Sequence, residues 1–162
     1  MVCSSSSRHR SPTSTIEPGM SVGATHIDHI VVTSNDSAAT AKLFAENFDI
    51  EIKRTMSRPG TRAHLEFAKL QEIVIEFAGP GEVQPYDEVR AKLGGFVLAV
   101  PDIDLAVANL REAGVDVGDP HPAVQPGAKI AGIRSGTNGV PIALIQYNAI
   151  LAEGSGHPED KE

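Results

Sequence analysis

The chain has 162 residues and a mass of 17.1 kDa, enough for one domain or two small repeated modules. Its net charge of −7 argues against nucleic acid and anionic membrane surfaces as partners, and aromatics at 4% with no Trp argue against a site built on stacked rings. The single cysteine, Cys3, excludes an internal disulfide and a cysteine-ligated zinc site, which fits a cytoplasmic protein.

Residues 1–23 are rich in Ser, Pro, Thr and Gly and lack the apolar periodicity that could offset ordering entropy, so a disordered tail is expected. They contain no apolar run of a secretory signal, and Met20 stands as an alternative start. One domain is expected over 24–151. Alternation predicts a first strand over 26–33, after which Ser34 or Asp36 can cap a helix running to about Asn47. Ala38, Ala41, Leu43 and Phe44 give that helix its apolar stripe. Strands are predicted near 49–56, 62–68 and 72–78, closing a first module over 26–78. Residues 79–94, beginning GPGEVQPYDE, read as a linker. A strand over 95–100 opens a second module, 95–148. Asp102 is the expected N-cap of its helix, and Gly114 the residue just past its end. Strands are predicted at 115–118 or 122–125, at 129–134 and at 140–147, with the S-G-T-N-G run at 135–139 as a hairpin turn. Residues 152–162 form an acidic tail. His9 and His157 fall in the tails, and His121 lies between two prolines in an expected loop.

The two modules share one plan. Asp36 and Asp102, Ala41 and Val107, Phe44 and Leu110, and Glu46 and Glu112 all stand 66 residues apart. Identities are few, so the repeat is one of pattern. Each module reads β-α-β-β-β. The fold class is α+β, two βαβββ modules.

Three segments carry a family resemblance: His26-Ile-Asp-His29-Ile-Val-Val, then Val100-Pro-Asp-Ile-Asp-Leu-Ala with Leu110-Arg-Glu-Ala-Gly114-Val, and Asn138-Gly-Val-Pro-Ile-Ala-Leu-Ile145. In this order, over about residues 26–148, the chain resembles the vicinal oxygen chelate superfamily, which includes glyoxalase I, extradiol dioxygenases, methylmalonyl-CoA epimerase and the fosfomycin and bleomycin resistance proteins. The resemblance implies two modules curling a mixed sheet into a cleft. It implies one divalent metal ion, with ligands at positions matching His29, Glu76, Gly95 and Ala143. Only His29 and Glu76 can bind a metal, so half of such a site is missing.

Strand alternation sorts the cleft-facing residues. His29 shares a face with Val31 and Thr33, and Glu76 with Glu72 and Val74. Arg62, His64 and Glu66 alternate with Ala63, Leu65 and Phe67. With the apolar triplet assigned to the helices, the polar one faces the cleft. Val97 and Ala143, with Tyr147, line the opposite wall. The expectation is one polar and one apolar wall, with Glu76, His64 and Glu66 as catalytic candidates and Arg62, Val97, Ala143 and Tyr147 as substrate contacts. A solvent-exposed sheet face would show the same alternation at 62–66.

Three mechanisms suit such a wall. A metal on His29 and Glu76, with His64 or Glu66, could polarise a carbonyl. A buried carboxylate or a histidine could move a proton without metal. The site could also bind a hydrophobic metabolite or antibiotic without chemistry. The leading expectation is a lyase, isomerase or ring-modifying enzyme acting on a small molecule beside a carbonyl or oxygenated carbon. A homodimer is expected, since exposed sheet and cleft edges commonly pair. No phosphate-binding glycine loop, dinucleotide fingerprint or nucleophile elbow is present, so no nucleotide cofactor is expected.

Overall fold

The computed structural model describes residues 21–58, 60 and 62–148, and the expectations for most of both tails lie outside them. The first module is β1 (His26–Ser34), α1 (Ser37–Phe48), β2 (Ile52–Ser57), β3 (Ala63–Leu70) and β4 (Ile73–Pro80). The second is β5 (Ala91–Ala99), α2 (Ile103–Glu112), β6 (His121–Pro122), β7 (Ala128–Ile133) and β8 (Ile142–Tyr147). The strands form one sheet of eight in the order β2-β3-β4-β1-β5-β8-β7-β6. In each half the first strand runs parallel to the last, and the halves meet along antiparallel β1 and β5. This is the α+β architecture of two βαβββ modules.

Local chemistry sets the helix ends. Asp36 and Asp102 each stand in extended conformation and accept a hydrogen bond from a backbone N–H of the first turn, Ala39 and Leu105 respectively, both at 2.9 Å. Past α2, Gly114 has φ 78°, its N–H donates to the Arg111 carbonyl, and the Val115 N–H donates to Leu110. That left-handed stop satisfies carbonyls the helix leaves open, and glycine adopts it without strain.

Two stretches depart from expectation. Strand β5 starts at Ala91, inside the segment read as linker, because Leu93 and Lys92 pair with Val32 and Thr33. The Gly94-Gly95 doublet, at the expected boundary between linker and strand, is a bulge with Gly94 the extra residue. Strand β6 shrinks to two residues plus an isolated bridge at Val117, since Pro120 and Pro122 supply no N–H to a ladder.

The helices cover the convex face. Helix α1 packs through Ala41 and Phe44 on Ala68, Ile75 and Phe77. Helix α2 packs through Ile103, Ala106 and Val107 on Ala131 and Leu144. The concave face carries two further apolar clusters. One, on module two, holds Val97, Ala99, Ala128 and Ile145. The other, on module one, holds Leu65, Phe67 and Val74, with Val124 from the β6–β7 loop of module two packed against it. Burying each such aliphatic or aromatic side chain is worth roughly 1.5–3 kcal/mol, so both faces of the sheet hold the fold together.

Candidate functional site

The cleft-facing assignment of β3 is reversed in the structure. Phe67 pairs directly with Glu76 and Leu65 with Ala78, so Leu65 and Phe67 share the concave face with Glu76. Glu66 pairs with Phe77, and His64 with Gly79, on the convex face. There His64 Nε2 lies 2.8 Å from Glu66, which also accepts from the Thr55 hydroxyl. Arg62 lies at the surface, 3.6 Å from Glu82. His64, Glu66 and Arg62 therefore do not join His29 and Glu76, and neither His64 nor Glu66 can complete a metal site with them. The physical reason is that α1 needs only Ala68, Ile75 and Phe77 beneath it. The concave face is itself apolar and takes Leu65 and Phe67.

Polar groups on the concave face concentrate along the seam between the modules. His29 is 4% exposed. Its Nδ1 lies 2.6 Å from Asp28 Oδ1, and its Nε2 lies 3.7 Å from Glu76 Oε2. The Tyr147 hydroxyl, arriving from β8, donates to the other Asp28 oxygen at 2.9 Å. A β-bulge makes this possible. Along β1 and β5 the pairing runs Ile27 with Leu98, then His29 with Val97, skipping Asp28. The extra residue turns Asp28 toward the face its neighbour His29 occupies. Strict alternation would place the two on opposite faces, so the sequence reading passed over Asp28; the only signal was an acid adjacent to a candidate histidine.

Electrostatics follow from burial. Desolvation raises the Glu76 carboxyl above the ordinary carboxylate range, against the opposing pull of His29 and Arg58. Burial also raises the Tyr147 phenol, with the Asp28 charge and hydrogen bond adding to it, so the phenol stays protonated and donates. Asp28, accepting from Tyr147 and facing Nδ1, fixes the proton on Nδ1 and turns Nε2 toward Glu76. The Nε2–Glu76 separation is too long for a direct hydrogen bond. It lets the two groups reach neighbouring atoms of one substrate.

The metal positions implied by resemblance shift by two residues. Across the seam His29 faces Val97 and not Gly95. Gly95 has φ 135°, and a Cβ there would collide with the Pro141 carbonyl, so no side chain fits. Glu76 lies two residues beyond Val74, the β4 partner of His29. The matching residue on β8 lies two beyond Ala143, the partner of Val97, and is Ile145. Val97 and Ile145 thus stand where an opposing pair of ligands would be, and both are buried hydrocarbon. The donor set is one imidazole and one carboxylate, with Asp28 engaged by His29 and Tyr147. Among the described residues no group of three or more His, Cys, Asp or Glu side chains is placed to hold a metal ion. These residues do not fit a divalent centre, which takes at least three protein ligands in a typical catalytic site.

The remaining candidates fall as follows. Val97, Ala143 and Tyr147 lie on the concave face in module two. His26 is exposed beside Thr25, and His121 is exposed on β6 with Nδ1 near the Asp119 carbonyl.

Comparison with known proteins gives one family. The model of the Glyoxalase/Bleomycin resistance protein/Dioxygenase superfamily matches residues 26–140. A search of curated protein sequences gave no match. Among solved structures, the methylmalonyl-CoA epimerase from Mycobacterium tuberculosis superposes with a TM-score of 0.66 at 17% identity, covering 90% of this chain and 97% of that one. A methylmalonyl-CoA epimerase in complex with methylmalonyl-CoA and NH4+ gives 0.65 at 18% identity, covering 78% of this chain and 97% of that one. A selenomethionine methylmalonyl-CoA epimerase gives 0.63 at 25% identity, covering 77% and 97%. These likenesses establish the shared fold.

Proposed function

The chain belongs to the Glyoxalase/Bleomycin resistance protein/Dioxygenase superfamily, and from that premise we propose that it is an isomerase-type enzyme moving a proton at a carbon beside a carbonyl, without relying on a metal. The carrying observation is the buried His29–Glu76 pair, held by Asp28 and Tyr147 at the seam of an otherwise apolar face. Glu76 is the base. A carboxyl raised by burial is better matched to removing a carbon-bound proton near neutral pH than an ordinary carboxylate. His29, braced through Nδ1, offers Nε2 to the carbonyl oxygen, where negative charge develops as the proton leaves. As an imidazolium it donates to that oxygen, and Asp28 compensates its charge. Delivery of a proton to the opposite face of that carbon completes the isomerisation, and release of the abstracted proton restores Glu76. The apolar walls exclude water and so strengthen each of these interactions.

The substrate class follows the structural neighbours: an acyl thioester with a substituted carbon next to its carbonyl. The test incubates the protein in D2O with a panel of such thioesters, including methylmalonyl-CoA, and follows deuterium at that carbon by mass spectrometry. Exchange in wild type and a loss of at least a hundredfold in Glu76→Gln is expected. No exchange above a protein-free control across the panel, or equal exchange in Glu76→Gln, would sink the reading. A second reading, a binding protein for a hydrophobic metabolite, is favoured by Leu65, Phe67, Val97 and Ile145 on the same face. It predicts saturable ligand binding with no exchange.

A further inference from the structure

The concave face has a second polar end that the proton-transfer chemistry does not use. Four residues along β1 from His29, Thr33 pairs directly with Lys92 of β5, so both side chains stand on the concave side. Thr33, Arg90 and Lys92 line a depression of about 370 Å³ with Ser34, Asn35 and Ala91. The Thr33 hydroxyl is buried and makes no hydrogen bond among the described residues. Such an orphan is destabilising until a partner arrives. Lys92 makes no ion pair among the described residues, and Arg90 reaches Glu88 only at 3.8 Å with both groups largely exposed. Asp36, just past β1, is engaged by the Tyr86 hydroxyl and the Ala39 N–H. In a chain of net charge −7, two cations beside an unsatisfied hydroxyl are a local exception.

The route between the two ends is bare. Gly94 and Gly95 flank Val31 between His29 and Thr33, and a Cβ on Gly94 would press into Thr33 and Val31. Glycine there keeps the floor low. At the rise of a β-strand, Thr33 stands roughly 13 Å from His29.

We propose that Thr33, Arg90 and Lys92 form an anion subsite gripping a carboxylate or phosphate carried by the substrate, roughly 8 Å from Glu76 and 13 Å from His29 along the same face. The ligand's oxyanion accepts from the Lys92 ammonium, the Arg90 guanidinium and the Thr33 hydroxyl. The inference rests on the proton-transfer reading for its substrate, but the subsite is testable alone.

The test titrates the full 15N-labelled chain with inorganic phosphate and, separately, with succinate, using chloride at matched ionic strength as the control. Saturable shifts of the Thr33, Lys92 and Gly94 amides are expected, and the tighter anion identifies the group carried. Lys92→Ala should weaken the apparent Kd at least tenfold and Thr33→Val severalfold, while Lys92→Arg retains binding. Lys92 is exposed and Thr33→Val keeps the shape of a half-buried side chain, so these changes leave the fold intact. Glu76→Gln should titrate like wild type. Binding that survives while no thioester exchanges deuterium removes the reaction and leaves the subsite standing. No saturable shift with either anion, the same shifts with chloride, or an unchanged Kd in Lys92→Ala overturns it.

Discussion

The equivalence of Val97 with a metal-ligand position makes a demanding prediction for Val97→His. His29 and Val97 are direct cross-strand partners on the concave face, where Cβ atoms lie about 4.5–5.5 Å apart. Two imidazoles at that spacing, with Glu76 beside one of them, supply three ligands. Val97 is 4% exposed and packs among Ala99, Ala128 and Ile145. Losing its burial costs about 1.5–3 kcal/mol. For a chain of this size that lowers the Tm by roughly 3–12 °C. A divalent ion at a hundred times its Kd then returns about 2.7 kcal/mol, enough to restore most of the loss. The assay is thermal unfolding with and without excess nickel or zinc, for wild type, Val97→His and His29→Ala/Val97→His. The single variant should gain roughly 5–11 °C on adding metal. Wild type and the double variant should gain little. A folded Val97→His with no metal-dependent shift refutes the register argument. An equal shift in wild type refutes the two-donor account of the native site.

Other outcomes follow from the same geometry. The folded-state pKa of Glu76 is raised, so the native state holds its proton longer than the unfolded chain. Stability should therefore fall as pH rises from the ordinary glutamate range through the raised value; Glu76→Gln should flatten that slope and be the more stable protein at neutral pH, read from Tm between pH 4 and 8. Asp28→Asn should leave the fold in place but lower deuterium exchange, because His29 loses the carboxylate that orients its ring; unchanged exchange would make Asp28 merely structural. His64→Ala, on the convex face, should leave exchange within about twofold of wild type, and a loss as large as that of Glu76→Gln would return His64 to the cleft. Phe77→Ala removes a fully buried ring in edge contact with Phe44 at 4.9 Å. It should cost about 3–5 kcal/mol in urea unfolding.

The sequence by itself determined what depends on near neighbours in the chain. Apolar periodicity located both helices, short polar side chains at Asp36 and Asp102 capped them, and Gly114 ended the second. The repeated β-α-β-β-β order and the resemblance carried by His26–Val32 and Asn138–Ile145 identified the fold. His29 and Glu76 were singled out by the resemblance, which implies ligands on the first and last strands, and by alternation, which puts each on the cleft face. Tertiary structure decided which face each strand presents. Alternation says that His64 and Glu66 oppose Leu65 and Phe67, but not which pair meets the helix, and in a sheet apolar on both sides only packing settles it. Bulges decided the rest. One extra residue at Asp28 brought an acid to the histidine's side, and one at Gly94 extended β5 and carried Lys92 opposite Thr33. The helix-derived offset of 66 therefore pointed to Gly95, whereas the strands place Val97 across from His29. A register is a long-range pairing between strands, and a single inserted residue shifts it without changing the hydrophobic pattern of either strand.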